Sequence, residues 1–166
     1  MKEYIKNKEI KDLSKKIRKL EDYKADAKGI IFELVNAYFF SKLGYQVHWA
    51  FKEKFTDGTE IDLLAFRKCG KMIMFYVIEI TTTEQNLNEE VKKKIEILQK
   101  NSSKLLKFLN LEKQINYKFR GIAISDIKTN LRADRVVKII NFKDIIHNLK
   151  NVRIELKKRL IKILEM

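Results

Sequence analysis

The sequence contains no proline, a single cysteine and no long apolar run, and each absence narrows what the chain can be. With no proline, no Gly/Ser-rich stretch and no repeat, nothing marks a linker, and 166 residues suit one domain with one sizeable core. A lone thiol, Cys69, cannot close an intramolecular disulfide or furnish a cysteine-rich zinc site. The longest apolar runs, such as Met72 to Ile78, fall far short of the roughly 20 residues a membrane helix needs, so no membrane partner is expected. The opening Met1-Lys2-Glu3-Tyr4 is charged, unlike a signal peptide, and a cytoplasmic location is expected.

Positive charge, by contrast, is abundant. Thirty-six Lys and Arg face 22 Asp and Glu, a formal net charge of +14. Self-repulsion on that scale is tolerated most readily beside a polyanion, and nucleic acid is the commonest one. The competing explanation is compositional: abundant Ile, Lys and Asn fit an AT-rich genome.

Three regions follow from the pattern. Residues 1–25 form a basic extension, with Ile10, Leu13, Ile17 and Leu20 at helical spacing over 3–24. Residues 26–125 form the core. A helix is expected from Ala27 to Leu43, with Asp26 as N-cap and Gly44 in the left-handed C-cap position. The period then falls to two: Tyr45, Val47, Trp49 and Phe51 alternate with Gln46, His48, Ala50 and Lys52, a strand buried on one face. After turn residues Thr56-Asp57-Gly58 come a strand over 59–66, a hairpin tip at Arg67 to Lys71, and a central strand from Ile73 to Thr82. From about Gln85 a helix buries Val91, Ile95, Leu98, Leu105 and Leu109 and turns Lys92, Lys93 and Lys94 outward. Phe119 to Ile124 is a further strand. Residues 126–166 add a short strand, Val136 to Ile140, and one last helix capped by Asn141 with Phe142, Ile145, Ile146, Leu149, Leu156 and Leu160 buried. Three consecutive strands imply a meander and the helix after them a crossover, giving an α/β domain with a mixed central sheet and helices on both faces.

Two acids break the apolar pattern. Asp is depleted in strands, yet Asp62 stands among Ile61, Leu63 and Leu64; Glu79 stands between Ile78 and Ile80. Asp62 is eight residues before Gly70 and Glu79 nine after it, so a hairpin turning there sets the two nearly opposite, on one face. Carboxylates that close repel unless a cation lies between them, and such oxygen ligands suit Mg²⁺ or Mn²⁺. A metal so placed can activate water and stabilise a phosphate under attack. The structural alternative is that each acid ends a strand in a salt bridge to one of the many lysines.

Gly29-Ile30-Ile31-Phe32-Glu33, Leu43-Gly44-Tyr45-Gln46-Val47, Glu60-Ile61-Asp62-Leu63-Leu64-Ala65 and Val77-Ile78-Glu79-Ile80-Thr81 together resemble the PD-(D/E)XK nuclease superfamily. Archaeal Holliday-junction resolvases and many restriction and repair nucleases belong to it. The resemblance spans about residues 26–125 and implies a restriction-endonuclease-like α-β-β-β-α-β core and metal-dependent hydrolysis of phosphodiesters, DNA above all. It implies Asp62 and Glu79 as metal ligands and Glu33 as the helical acid that some branches add. Gly29 and Ala37 share the stripe of Glu33, and their small side chains would let that stripe approach the sheet. The family's motif lysine is replaced by Thr81, which leaves Lys92, Lys93, Lys94 or Gln99 on the next helix to supply it. The three lysines, with Lys54, are also the candidate nucleic-acid contacts. A junction resolvase needs two sites, which would make a second copy of the chain a partner.

Thr81 keeps open a binding module of the same fold that does not cut, and the basic helices keep open a subunit that binds an acidic protein. Other chemistry has little support. His48 falls on the polar side of its strand, and His147 has no companion ligand at zinc spacing. Ser102-Ser103 has no glycine elbow or nearby histidine, and no phosphate-binding Gly-x4-Gly-Lys loop occurs.

Overall fold

The computed structural model describes residues 27–81, 87–113, 116–125, 135–149 and 152–165. The helix expected over 3–24 and the N-cap Asp26 lie outside the described residues. No helix among the described residues is long and apolar enough to cross a membrane.

Helix α1 (Ala27–Lys42) ends as its sequence demands. Gly44 takes a φ of 87°, and the amides of Gly44 and Tyr45 donate back to the carbonyls of Ser41 and Phe40, both at 3.1 Å. Those bonds satisfy carbonyls that the last turn would otherwise leave open, and a side chain at Gly44 would strain the backbone. Strand β1 (Gln46–Phe51), a short 3-10 turn (Lys54–Thr56), strand β2 (Ile61–Cys69) and strand β3 (Met72–Thr81) follow. Next come helices α2 (Leu87–Lys100) and α3 (Ser102–Phe108), strands β4 (Asn116–Ser125) and β5 (Val137–Asn141), and helices α4 (Phe142–His147) and α5 (Ile154–Glu165).

The result is a mixed α/β fold on a five-stranded sheet of order β1-β2-β3-β4-β5. β1, β2 and β3 form an antiparallel meander; β4 lies parallel to β3 and β5 parallel to β4. Both the meander and the crossover match the expectation from sequence. On one face α1, α4 and α5 bury Ile31, Phe32, Val35, Phe142 and Ile145 against Trp49, Leu63 and Ile78, with the Phe32 and Phe142 rings stacked at 4.2 Å. On the other, Val91, Ile95 and Leu98 of α2 and Leu105 of α3 cover Leu64, Phe75, Val77 and Phe119.

Two expected helices are each broken in two. The helix expected to run on to Leu109 stops at Asn101, whose side chain donates to the carbonyl of Ile97 at 3.0 Å. Asn and Ser side chains compete in this way for backbone partners, and Asn101-Ser102-Ser103 supplies a run of them. The last helix stops likewise at Asn148, whose side chain donates to the carbonyl of Asp144 at 2.7 Å. Its start is as expected, with the Asn141 side chain accepting from the Lys143 amide at 2.9 Å.

Burial corrects two further readings. His48 packs among the rings of Phe51, Phe66 and Phe108 rather than on a polar face, because α3 folds over that side of β1. Gly29 is exposed, with open space where a side chain would begin, so no close approach to the sheet occurs there. The close approach occurs at Gly121 of β4. A Cβ there would meet Cγ1 of Val91 at 2.3 Å, Cγ2 of Val137 at 3.0 Å and Cδ1 of Ile95 at 3.3 Å. The missing side chain lets α2 settle onto the sheet.

Candidate functional site

The hairpin sets the geometry. Gly70, at a φ of 63°, and Lys71 make its tip, and the ladder runs from Cys69 opposite Met72 to Leu63 opposite Ile78. Asp62 and Glu79 are the next pair along. Here side chains take over from the main chain. The Asp62 amide donates to Oε1 of Glu79 at 3.2 Å, and the Ile80 amide donates to Oδ2 of Asp62 at 2.8 Å. Each carboxylate is thus held by a main-chain amide of the other strand. The β1 side is irregular as well. Pairing runs from Trp49 opposite Leu63 to Phe51 opposite Ile61, and between them Ala50 adopts a φ of 50°. A left-handed alanine costs about 1–2 kcal/mol, so β1 holds Ala50 opposite Asp62 against its intrinsic preference.

A third side chain completes the cluster. Lys94 is buried rather than turned outward, and its Nζ donates to Oε2 of Glu79 at 2.6 Å and contacts Oε1 of Glu90 at 3.0 Å. Helical periodicity explains the correction. Position 94 is three residues after Val91 and four before Leu98, so it falls on the stripe that faces the sheet. Lys93 is exposed, and Lys92 is half-buried and pairs with Glu89 at 3.7 Å. Gln99 and Lys54 are exposed. Thr81 is buried and lies opposite Ser125 of β4, two residues beyond Glu79.

The electrostatics are those of acids crowded out of water. Burial, and then the neighbouring Asp62 charge, push Glu79 up to about 8 against the pull of Lys94. Burial raises Asp62 too, while the Ile80 amide and Lys94 draw it back. For Lys94 burial acts downward, but Glu79 and Glu90 outweigh it and the ammonium is held above its ordinary range. Among the described residues one ammonium therefore serves three carboxyl groups, and the cluster would gain from a further cation.

The donor set suits a hard divalent ion: two carboxylates, with the remaining positions left to water and phosphate oxygens, the pattern of Mg²⁺. Among the described residues no group of three or more His, Cys, Asp and Glu side chains is placed to hold a metal. Glu33 accepts a hydrogen bond from Nε1 of Trp49, and its helix lies on the sheet face opposite α2. Sequence reasoning brought Asp62 and Glu79 together but missed Glu90 and Ala50. Glu90 was legible as the residue one turn before Lys94; Ala50 carries no signal. No family model, no curated protein and no solved structure matches the chain.

Proposed function

We propose that the protein is a metal-dependent nuclease of the PD-(D/E)XK type, acting on DNA. The observation that carries this reading is the placement of Lys94: its ammonium reaches the Glu79 carboxylate from the following helix, at the site whose motif lysine is replaced by Thr81. The order α1, β1, β2, β3, α2, β4, with β4 parallel to β3, supports the restriction-endonuclease-like core. The net charge of +14 supports a polyanionic substrate.

In this reading Asp62 and Glu79 hold Mg²⁺ or Mn²⁺, which when bound polarises a phosphate oxygen and makes a water molecule more acidic. The Asp62 and Ile80 amides keep the two carboxyl groups from turning away. Lys94 orients the attacking water and offsets charge gathering on the phosphate, and Glu90 holds the ammonium in place. Ionisation of Glu79 is the step the site must complete before it can bind a cation. Lys54, Lys92 and Lys93 remain candidate phosphate contacts.

The test is calorimetric titration of Mn²⁺ into wild type and Asp62→Asn, with cleavage measured beside it. Asp62→Asn keeps an oxygen for the Ile80 amide and removes charge, so metal affinity should drop sharply and cleavage fall by orders of magnitude, about tenfold for each 1.4 kcal/mol lost. DNA binding in chelator should persist. Equal metal affinity in the two proteins ends this reading.

A further inference from the structure

On the same sheet face as the acid pair, the Lys54–Thr56 turn and α3 border an open groove of about 430 Å³ lined by Lys54, Phe55, Lys104, Lys107 and Phe108. Phe108, the last residue of α3, is 43% exposed. It is nevertheless held in place: its ring centre lies 5.7 Å from that of Phe51, 6.2 Å from Phe55 and 6.2 Å from His48. Lys54, Lys104 and Lys107 are exposed, and none of them forms an ion pair with a described residue. The turn carrying Lys54 and Phe55 packs on α2, the helix that carries Lys94.

A fixed aromatic ring open to solvent, ringed by cations that have no counter-charge among the described residues, matches two features of one ligand. Unpaired bases offer flat faces for stacking, and the phosphates between them offer negative charge; a duplex hides the first and an acidic peptide lacks it. We propose that this groove binds a single strand of nucleic acid, one base stacking on Phe108 and the flanking phosphates meeting Lys54, Lys104 and Lys107. The proposal rests on the nucleic-acid part of the function above and adds a preference for unpaired segments, reached without base-specific hydrogen bonds.

Fluorescence anisotropy in chelator tests it, with labelled oligo(dT), oligo(rU) and a DNA duplex, so that no cleavage enters. Phe108→Ala should weaken single-strand binding roughly 5- to 150-fold, the range that loss of one stacking ring gives, and change duplex binding by less than about twofold. Phe108→Trp should restore it. Lys104→Gln with Lys107→Gln should reduce the slope of log affinity against log salt by about 0.7 for each lysine on single strands. Tighter binding of oligo(dT) or of oligo(rU) assigns the polymer. Unchanged single-strand affinity in Phe108→Ala, or an equal loss on duplex, overturns the groove. Wild type that binds no nucleic acid removes the groove and the nuclease reading together. Failure of the Mn²⁺ titration with a Phe108-dependent strand affinity removes the nuclease reading and leaves the groove standing.

Discussion

Glu79→Gln is the sharpest perturbation of the acid cluster, because it removes an ionisation while keeping the size of a side chain that is only 3% exposed. Below the ordinary glutamate value of 4.5 the carboxyl is protonated in the folded and the unfolded chain alike. Between 4.5 and about 8 the unfolded chain has released the proton and the folded chain has kept it. Stability from this group is therefore full below 4.5 and drains away as pH rises towards about 8, at up to about 1.4 kcal/mol per pH unit. The whole interval amounts to about 5 kcal/mol as an upper figure, since the proton is shared with Asp62. Gln cannot ionise, so the stability of Glu79→Gln relative to wild type should climb by that slope across the interval and level off above it. Urea unfolding of metal-free protein at steps between about pH 5 and pH 9 measures this directly. Asp62→Asn supplies an internal control: without the Asp62 charge Glu79 should ionise at lower pH, and the interval should shorten. Parallel pH curves for wild type and Glu79→Gln would show that the Glu79 carboxyl is already ionised in the folded protein, which refutes the argument.

Two further outcomes are expected. Lys94→Met keeps the reach of the side chain and removes its charge, so cleavage should fall by about a hundredfold or more while DNA affinity in chelator barely changes; an unchanged rate removes Lys94 from the mechanism. Gly121→Ala places a methyl group against Val91, so it should cost about 1–3 kcal/mol by urea unfolding and weaken Lys94-dependent cleavage by lifting α2; full stability would mean that α2 has room to move.

The acid pair was legible in the sequence because an antiparallel hairpin is arithmetic. Once Gly70 fixes the turn, Asp62 and Glu79 are assigned to each other. The meander and the parallel return of β4 follow from the same order of periodicities. Lys94 was not legible in that way. It sits in Lys92-Lys93-Lys94, which reads as a solvated face, and Ile95 next to it accounts for the apolar stripe without help. The spacing of Lys94 from Val91 and Leu98 puts it on the stripe that faces the sheet, and the approach of α2 over Gly121, a contact between residues far apart in the chain, brings that stripe onto the strands. The helix breaks at Asn101 and Asn148 were missed because apolar spacing continues across both, and local side-chain hydrogen bonds override it. The left-handed Ala50 interrupts a two-residue alternation that looks regular in sequence.

The exchange of hydrogen bonds between Asp62 and Glu79 also constrains how this chain can change by mutation. Each carboxyl oxygen is the partner of a main-chain amide at the end of the β2–β3 ladder, so truncating either acid opens the sheet as well as the site. Asp62→Ala or Glu79→Ala leaves an amide without its acceptor, at about 1–3 kcal/mol where water cannot reach it. Asp62→Asn and Glu79→Gln keep that oxygen and discard only the capacity to ionise. A chain that loses the two charges while still needing the fold therefore has its easiest route through those two amides, and its sheet keeps the outline of the acids.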